Sequence, residues 1–467
     1  MDQSNQATLT EGDIPSILTR LTIPMVFGLF SIIGFNLVDA FFVGQIGTPE
    51  LAAFGLTFPV VMIMGSIGMG IGMGTSALVS KAIGQNDIEL VQRNTTDSII
   101  LAVIFALIFV IIGLLTIDPI FRTLGATEDL LPLIKEYMVV WYLGVVFVIV
   151  PMVGMSAIRA NGDTKTPAVI MVSMVFINLI LDPVLIFGWG PFPKMGLQGA
   201  AIATVIARMM TLLLGLYVLH YRDRMITFKL PYDKMLQSWK NILYIGLPAA
   251  ASNLVVPVTT AVITFMVTSY GPEAIAAYGV ASRIDVLAIT VLLALSTALA
   301  PFIGQNLGAG KVERIKQAFS MSIKFCLVWG VFMVLVLYLV KDFIAPIFND
   351  NKEVAAVIIL YLSITPIGYG VRGIYSISNT ALNVINKPLH ASLITVVQMF
   401  VVYIPLAYFL SPYMGIKGIF WALAIAYSVG GLAGYLLFTR NLGKVKVLET
   451  DPSVVISQDE NVLDDMF

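Results

Sequence analysis

Stretches of apolar residues long enough to cross a bilayer follow one another from residue 16 to residue 439. A hydrocarbon core about 30 Å thick is spanned by about 20 helical residues. Inside it every backbone polar group must be bonded within the chain, so stretches of this kind fold as helices. A sliding window of about 19 residues places twelve spans at roughly 16–43, 51–79, 91–117, 134–158, 166–189, 197–220, 241–268, 274–303, 316–340, 354–384, 389–411 and 416–439. Charged residues make up 12% of the chain, against about 25% in soluble domains. The expected class is an all-α polytopic membrane protein.

Several functions are excluded on chemical grounds. There is no HExxH, P-loop or GxSxG pattern, and the near-miss to an intramembrane protease motif, ANGD at 160–163, puts Asp163 in a loop; the chain does not read as an enzyme. Cys326 is the single cysteine, so neither an intramolecular disulfide nor a cysteine metal cluster can form. His220 and His390 both fall near span ends, which argues against a histidine relay. A net charge of −1 argues against nucleic acid as a partner. The start MDQSNQATLTEGD is polar and the first span is too long for a signal-peptide core, so no cleaved leader is expected. Without a nucleotide site, any work the protein does must draw on an ion gradient; no cofactor is expected beyond a coupling proton or sodium ion.

Eighteen Lys and Arg residues lie on the side that carries both termini and six on the other. The positive-inside rule therefore expects both termini in the cytoplasm and a multi-pass protein of the cell (inner) membrane. The divisions expected are an N-terminal tail (1–13), an N-lobe of six spans (14–222), a basic linker (223–240), a C-lobe of six spans (241–440) and an acidic, disordered tail (441–467).

The two lobes are repeats. At an offset of 224, Pro24 matches Pro248, Tyr137 matches Tyr361, and TPELAAFGL at 48–56 lies over PEAIAAYGV at 272–280; later MGLQGAAIA at 195–203 matches MGIKGIFWA at 414–422, an offset of 219. Six spans per repeat is an even number, so the halves are parallel and related by an axis along the membrane normal. Two such bundles with a cleft between them form the plan of a transporter that rocks.

Asp39 is the only ionisable residue of the first span beyond Arg20. A carboxylate at the centre of a span costs about 2.5–3.5 kcal/mol on insertion scales, so it needs a partner or a task. Asn36 lies one turn before it, and Pro24 offers a bend. Span five carries Asn178 and Asp182 one turn apart, and span six carries Thr204. Counted at 1.5 Å per residue, Asp39 is roughly 7 Å and Thr204 roughly 11 Å below the outer surface. Asp39, Asn178, Asp182 and Thr204 thus share one depth in one bundle and offer hard oxygens suited to sodium or a proton. The second half places Ile263 where the first has Asp39, which favours a site confined to the N-lobe. A buried acid satisfied by neighbouring helices remains the other reading of Asp39 alone. Three acids (Asp39, Asp182, Asp285) and three cations (Arg208, Arg283, Arg372) are counted within spans. Arg208, one turn after Thr204, is expected to hold Asp182 or another acceptor. Arg283, with Asn36 and Arg208, is a candidate for the substrate cavity, and Arg372 is expected to reach it.

The stretches NLVDAFFVGQIGTPELAAFGL, RANGDTKTP and NLILDPVLIFG, set in a duplicated twelve-span plan over residues 14–440, resemble the multidrug and toxic compound extrusion (MATE) family, in its DinF-like branch. The resemblance implies a monomeric antiporter that exports amphipathic organic cations in exchange for protons or sodium. It links Asp39, Asn178, Asp182 and Thr204 to the coupling ion, either proton or sodium. The NorM-like branch places coupling acids on spans seven and ten, where this chain has none. A flippase of lipid-linked precursors, with the same bundle plan, is the alternative.

Overall fold

A computed structural model describes residues 7–228, 232–348 and 351–444. In the first half, α1 (Ile14–Gly44), α2 (Thr48–Gly84), α3 (Ile88–Thr123), α4 (Leu131–Leu143), α5 (Val146–Ala160), α6 (Lys165–Phe187) and α7 (Gly196–Tyr217) follow in order. The second half has α8 (Tyr232–Thr268), α9 (Pro272–Gly308), α10 (Val312–Phe348), α11 (Lys352–Ile364), α12 (Tyr369–Val384), α13 (Pro388–Val396), α14 (Ile404–Met414) and α15 (Ile416–Lys444). Eleven helical stretches are long and apolar enough to cross a membrane, and the pair α4 and α5 makes a twelfth. The tail beyond Lys444 lies outside the described residues.

Three spans expected as plain helices are interrupted. The fourth breaks between Leu143 and Val146 with a bend of 43°. Gly144 sits at that break against α7, where a Cβ would come within 2.3 Å of Val205 Cγ2; the close approach needs a residue without a side chain. The tenth passes through a short 3₁₀ segment, Thr365–Gly368, and the eleventh through a π segment, Val397–Tyr403. Hydropathy is blind to such changes of winding, because the residues stay apolar. Within the linker stretch 223–240, α8 begins at Tyr232.

Helix ends follow local chemistry. Asp13 caps α1 by accepting from Ser16 N at 3.0 Å, and Asp87 caps α3 by accepting from Leu90 N at 2.9 Å. The repeat is legible in the backbone itself. Positive φ occurs at Asn86 and Gly310, and at Gly162 and Asn386, each pair separated by the offset of 224. These are residue types that tolerate the left-handed region.

The buried apolar residues form three main groups. One fills the N-lobe around Tyr142, Ile149 and Phe121. Another fills the C-lobe around Tyr361, Tyr369 and Phe420. The third joins the lobes at the end that bears the termini: Leu9, Ile14, Ile17, Leu18 and Leu21 pack with Leu299, Phe302, Ile303 and Phe319 of the C-lobe. The first turns of α1 are thus buried against the opposite lobe. Further along, Gly28 lies against Ala168 and Met171 of α6, within its own lobe. Pro24 stands between these two environments. From mid-span to that end α2 crosses α8 and α9 closely. A Cβ on Gly70 would meet Gly246 O at 2.3 Å, and one on Gly84 would meet Gln305 O at 2.0 Å. The inter-lobe closure is therefore at the terminus-bearing end.

Candidate functional site: a carboxylate pair in the N-lobe

Asp39 comes from the outer part of α1, Asn178 and Asp182 from successive turns of α6, and Thr204 from α7. All four are buried, with exposures of 5%, 0%, 0% and 4%. Thr204 Oγ1 donates to Asp39 Oδ2 at 3.3 Å, and Asn178 Nδ2 donates to Asp182 Oδ1 at 3.0 Å. The two carboxyl groups lie within hydrogen-bonding reach of each other, and Asn178 within reach of Asp39. The residues that shared a depth in the sequence thus share a contact in the fold. Like charges at such separation require a proton or a cation between them.

Three oxygens of this cluster, Asp39 Oδ1, Asn178 Oδ1 and Asp182 Oδ2, are buried without a hydrogen-bond partner. Buried oxygens are nearly always satisfied, so three together call for an explanation. Carboxylate and amide oxygens are the donor set a hard monovalent cation takes, and they equally accept a proton. No group of three or more His, Cys, Asp or Glu side chains is assembled for a metal among the described residues.

Other candidates fall in different places. Arg208 is half-buried on α7; its guanidinium stacks 5.4 Å from the Phe35 ring centre, its charge acts on Asp39 rather than Asp182, and its Nε has no partner. The expected hold on Asp182 is not made. Asn36, one turn before the buried Asp39, is exposed. Arg283 is exposed and makes no ion pair among the described residues, whereas Asp285, two positions on, is buried. Arg372 is partly exposed; its Nη1 bonds Asp285 Oδ2 at 2.5 Å, and its guanidinium lies 4.7 Å from the Tyr427 ring centre. The C-lobe acid is thereby neutralised by its own lobe, in contrast to the N-lobe pair. Pro24 lies inside an α1 that continues through it as one helix.

Two residues escaped the sequence reading. Tyr137 on α4 is buried, packs edge-on to Phe54 at 5.6 Å between centres, and stands close enough to feel the charges of both Asp39 and Asp182. Its match with Tyr361 across the repeat was a usable signal. Asp97 on α3 is a fourth intramembrane acid, 1% exposed, with neither carboxylate oxygen partnered. Its place near a span end hid it.

Comparison with known proteins identifies the family. The MatE family model matches residues 24–184 and 248–409, one match to each lobe. A FAD transporter of Shewanella oneidensis is 38% identical over 444 residues, covering 95% of this chain and 98% of its own. A multidrug export protein MepA of Staphylococcus aureus is 26% identical over 427 residues, covering 90% and 92%. Among solved structures, the Vibrio cholerae MATE transporter VcmN in its bent form superposes with a TM-score of 0.88 at 29% identity, covering 95% of this chain and 99% of that one. The chain is an all-α, multi-pass membrane protein with two six-span lobes, and it belongs to the MatE family of multidrug and toxic compound efflux transporters.

Proposed function

We propose that the protein exports amphipathic aromatic solutes, organic cations foremost, in exchange for a proton or sodium ion held at Asp39 and Asp182. Asn178 and Thr204 are the supporting ligands. The observation that carries this reading is the set of three unpartnered oxygens, Asp39 Oδ1, Asn178 Oδ1 and Asp182 Oδ2, buried in one bundle. An ion or proton arriving there removes the repulsion between the carboxylates, and its departure restores it, so ion binding does work on α1, α6 and α7. The closed terminus-bearing end supplies one of the two states that a rocking exporter needs. With both termini in the cytoplasm, that state faces outward. The DinF-like assignment rests on the same N-lobe acids and on the lack of acids at 241–268 and 354–386.

A second reading of the substrate has its own support. The Shewanella oneidensis relative is named a FAD transporter, at 38% identity across nearly the whole chain. Flavin adenine dinucleotide is aromatic at both ends and carries a pyrophosphate in between. Arg283, exposed and without an ion pair among the described residues, is a cation free to receive it, with Arg208 beside Phe35 as a second. A flippase of anionic headgroups would need more free cations than these, since Arg372 is already neutralised by Asp285. Proteoliposomes loaded with a cationic dye or with FAD, under imposed proton or sodium gradients, separate the readings. Gradient-driven movement of either solute, lost in Asp39→Asn, supports coupled export and names the substrate class. Equal movement with and without a gradient would contradict coupling.

A further inference from the structure

The segment before α1 is clamped by the opposite lobe. Leu9 is fully buried in the inter-lobe core. Its N–H donates to Gln305 Oε1 at 3.1 Å, and its carbonyl accepts from Asn306 Nδ2 at 3.1 Å. Two adjacent side chains near the end of α9 thus read both backbone groups of one residue. Lys311 Nζ adds a bond to Thr10 O at 3.1 Å. The other end of the Gln305 amide donates to Ala160 O at 2.9 Å, at the end of α5 in the N-lobe. Gln305 and Asn306 are themselves 0% exposed. One glutamine therefore ties C-lobe helix α9 to both the pre-α1 segment and the N-lobe.

The repeat makes this arrangement informative. At the offset of 224, the positions in α2 that match Gln305 and Asn306 hold Lys81 and Ala82. Neither is an amide, so α2 cannot clamp a backbone in this way, and the device belongs to one lobe only. The clamped segment runs through the Asp13 cap directly into α1, whose outer part carries Asp39. Fully buried amides that bridge lobes are costly to leave unpaired. They fit a contact that is made in one state and hydrated in the other.

We propose that residues 7–11 form a strap which Gln305 and Asn306 grip to hold the terminus-bearing end shut, so that releasing it is the step that lets the lobes rock. Gln305 and Asn306 are positioning residues, remote from substrate and ion. This rests on the rocking reading above. A strain in α1 produced at Asp39 reaches the strap through the same helix.

The test uses the full chain in nanodiscs, with spin labels on cysteines replacing Lys165 and Gln317 in a Cys326→Ala background. The distance between labels reports the terminus-bearing end, with and without ion and substrate. Gln305→Leu should raise the ratio of open to closed molecules roughly ten-fold, as expected for losing one to two net hydrogen bonds. Deleting residues 2–10 should shift it comparably. The two changes together should give less than the sum of their separate effects, because both remove the Leu9–Gln305 bond. A glutamine that merely packs in the core would give additive shifts and lower thermal stability equally in both states. If wild type opens and closes but Gln305→Leu leaves the ratio unchanged, the strap is overturned alone. If the active wild type never changes distance, rocking and the strap fall together.

Discussion

At the scale of single residues, charge placement separates the lobes. Asp39 and Asp182 have each other, Asn178 and Thr204, and keep oxygens to spare. Asp285 has Arg372. Asp39→Asn keeps the shape and removes the charge that answers to an ion. Transport at matched membrane expression should fall to near background, read as dye efflux from cells; wild-type efflux would remove Asp39 from coupling. Asp182 and Asp285 should then fail differently. Asp182→Asn should abolish ion-driven efflux with little change in thermal midpoint. Asp285→Asn strands a partly buried guanidinium, a loss that approaches about 3–5 kcal/mol where fully buried pairs are broken from one side. It should lower the midpoint sharply, and Asp285→Asn with Arg372→Met should recover most of that loss. Equal loss of efflux per folded molecule in Asp182→Asn and Asp285→Asn would put a working site in both lobes. The N-lobe quartet was legible beforehand because helical rise converts sequence position into depth, and depth confines which polar groups can meet. The Asp285–Arg372 pair was not, because the two lie 87 residues apart on helices whose rotation the sequence leaves open. Asp97 was missed because an acid near a span end is indistinguishable from an interfacial one until packing buries it.

At the scale of elements, α1 is the part that touches everything. Its first turns are buried in the inter-lobe core, its middle lies on α6, and its outer turns carry Asp39. Pro24 falls at the changeover and cannot donate the hydrogen bond that would stiffen the helix there. Pro24→Ala should slow turnover several-fold while leaving equilibrium binding of substrate nearly intact; a parallel loss of binding would make the proline a packing residue. The loop from α5 to α6 is held by different means. Burial pushes the Asp163 carboxyl up, but Thr166 and the Arg222 guanidinium, at 2.6 Å, outweigh it and hold the group below its ordinary range. A lowered folded value means that its stabilisation is complete above the unfolded value of about 3.9 and is lost as pH falls through the folded one. Arg222 is 44% exposed, so screening limits the contribution to about 1 kcal/mol or less. Asp163→Asn should therefore lower the thermal midpoint at pH 7, and the gap to wild type should narrow below about pH 4. A gap that persists in acid would assign the effect to packing. Twelve spans were readable from hydropathy, but the break at Gly144 was not, since its cause is Val205 on another helix.

At the scale of the whole molecule, duplication supplies the architecture and departures from it supply the function. Backbone caps recur at the repeat offset, while the Asp39–Asp182 pair sits in one lobe and the buried amides Gln305 and Asn306 in the other. The repeat and its parallel sense could be read from residue matches alone. The closed end could not, because it depends on how α2 crosses α8 and α9. The central claim is that one coupling ion binds between Asp39 and Asp182, and ion binding to the purified protein tests it most directly. Proton release on adding substrate, followed with a pH-indicator dye, and radioactive sodium retention should each be measured on wild type and on Asp39→Asn with Asp182→Asn. Wild type should release about one proton per molecule, or retain about one sodium ion that substrate displaces, as one shared carboxyl pair permits, and the double variant should do neither. Unchanged proton release or sodium retention in the double variant would contradict the account.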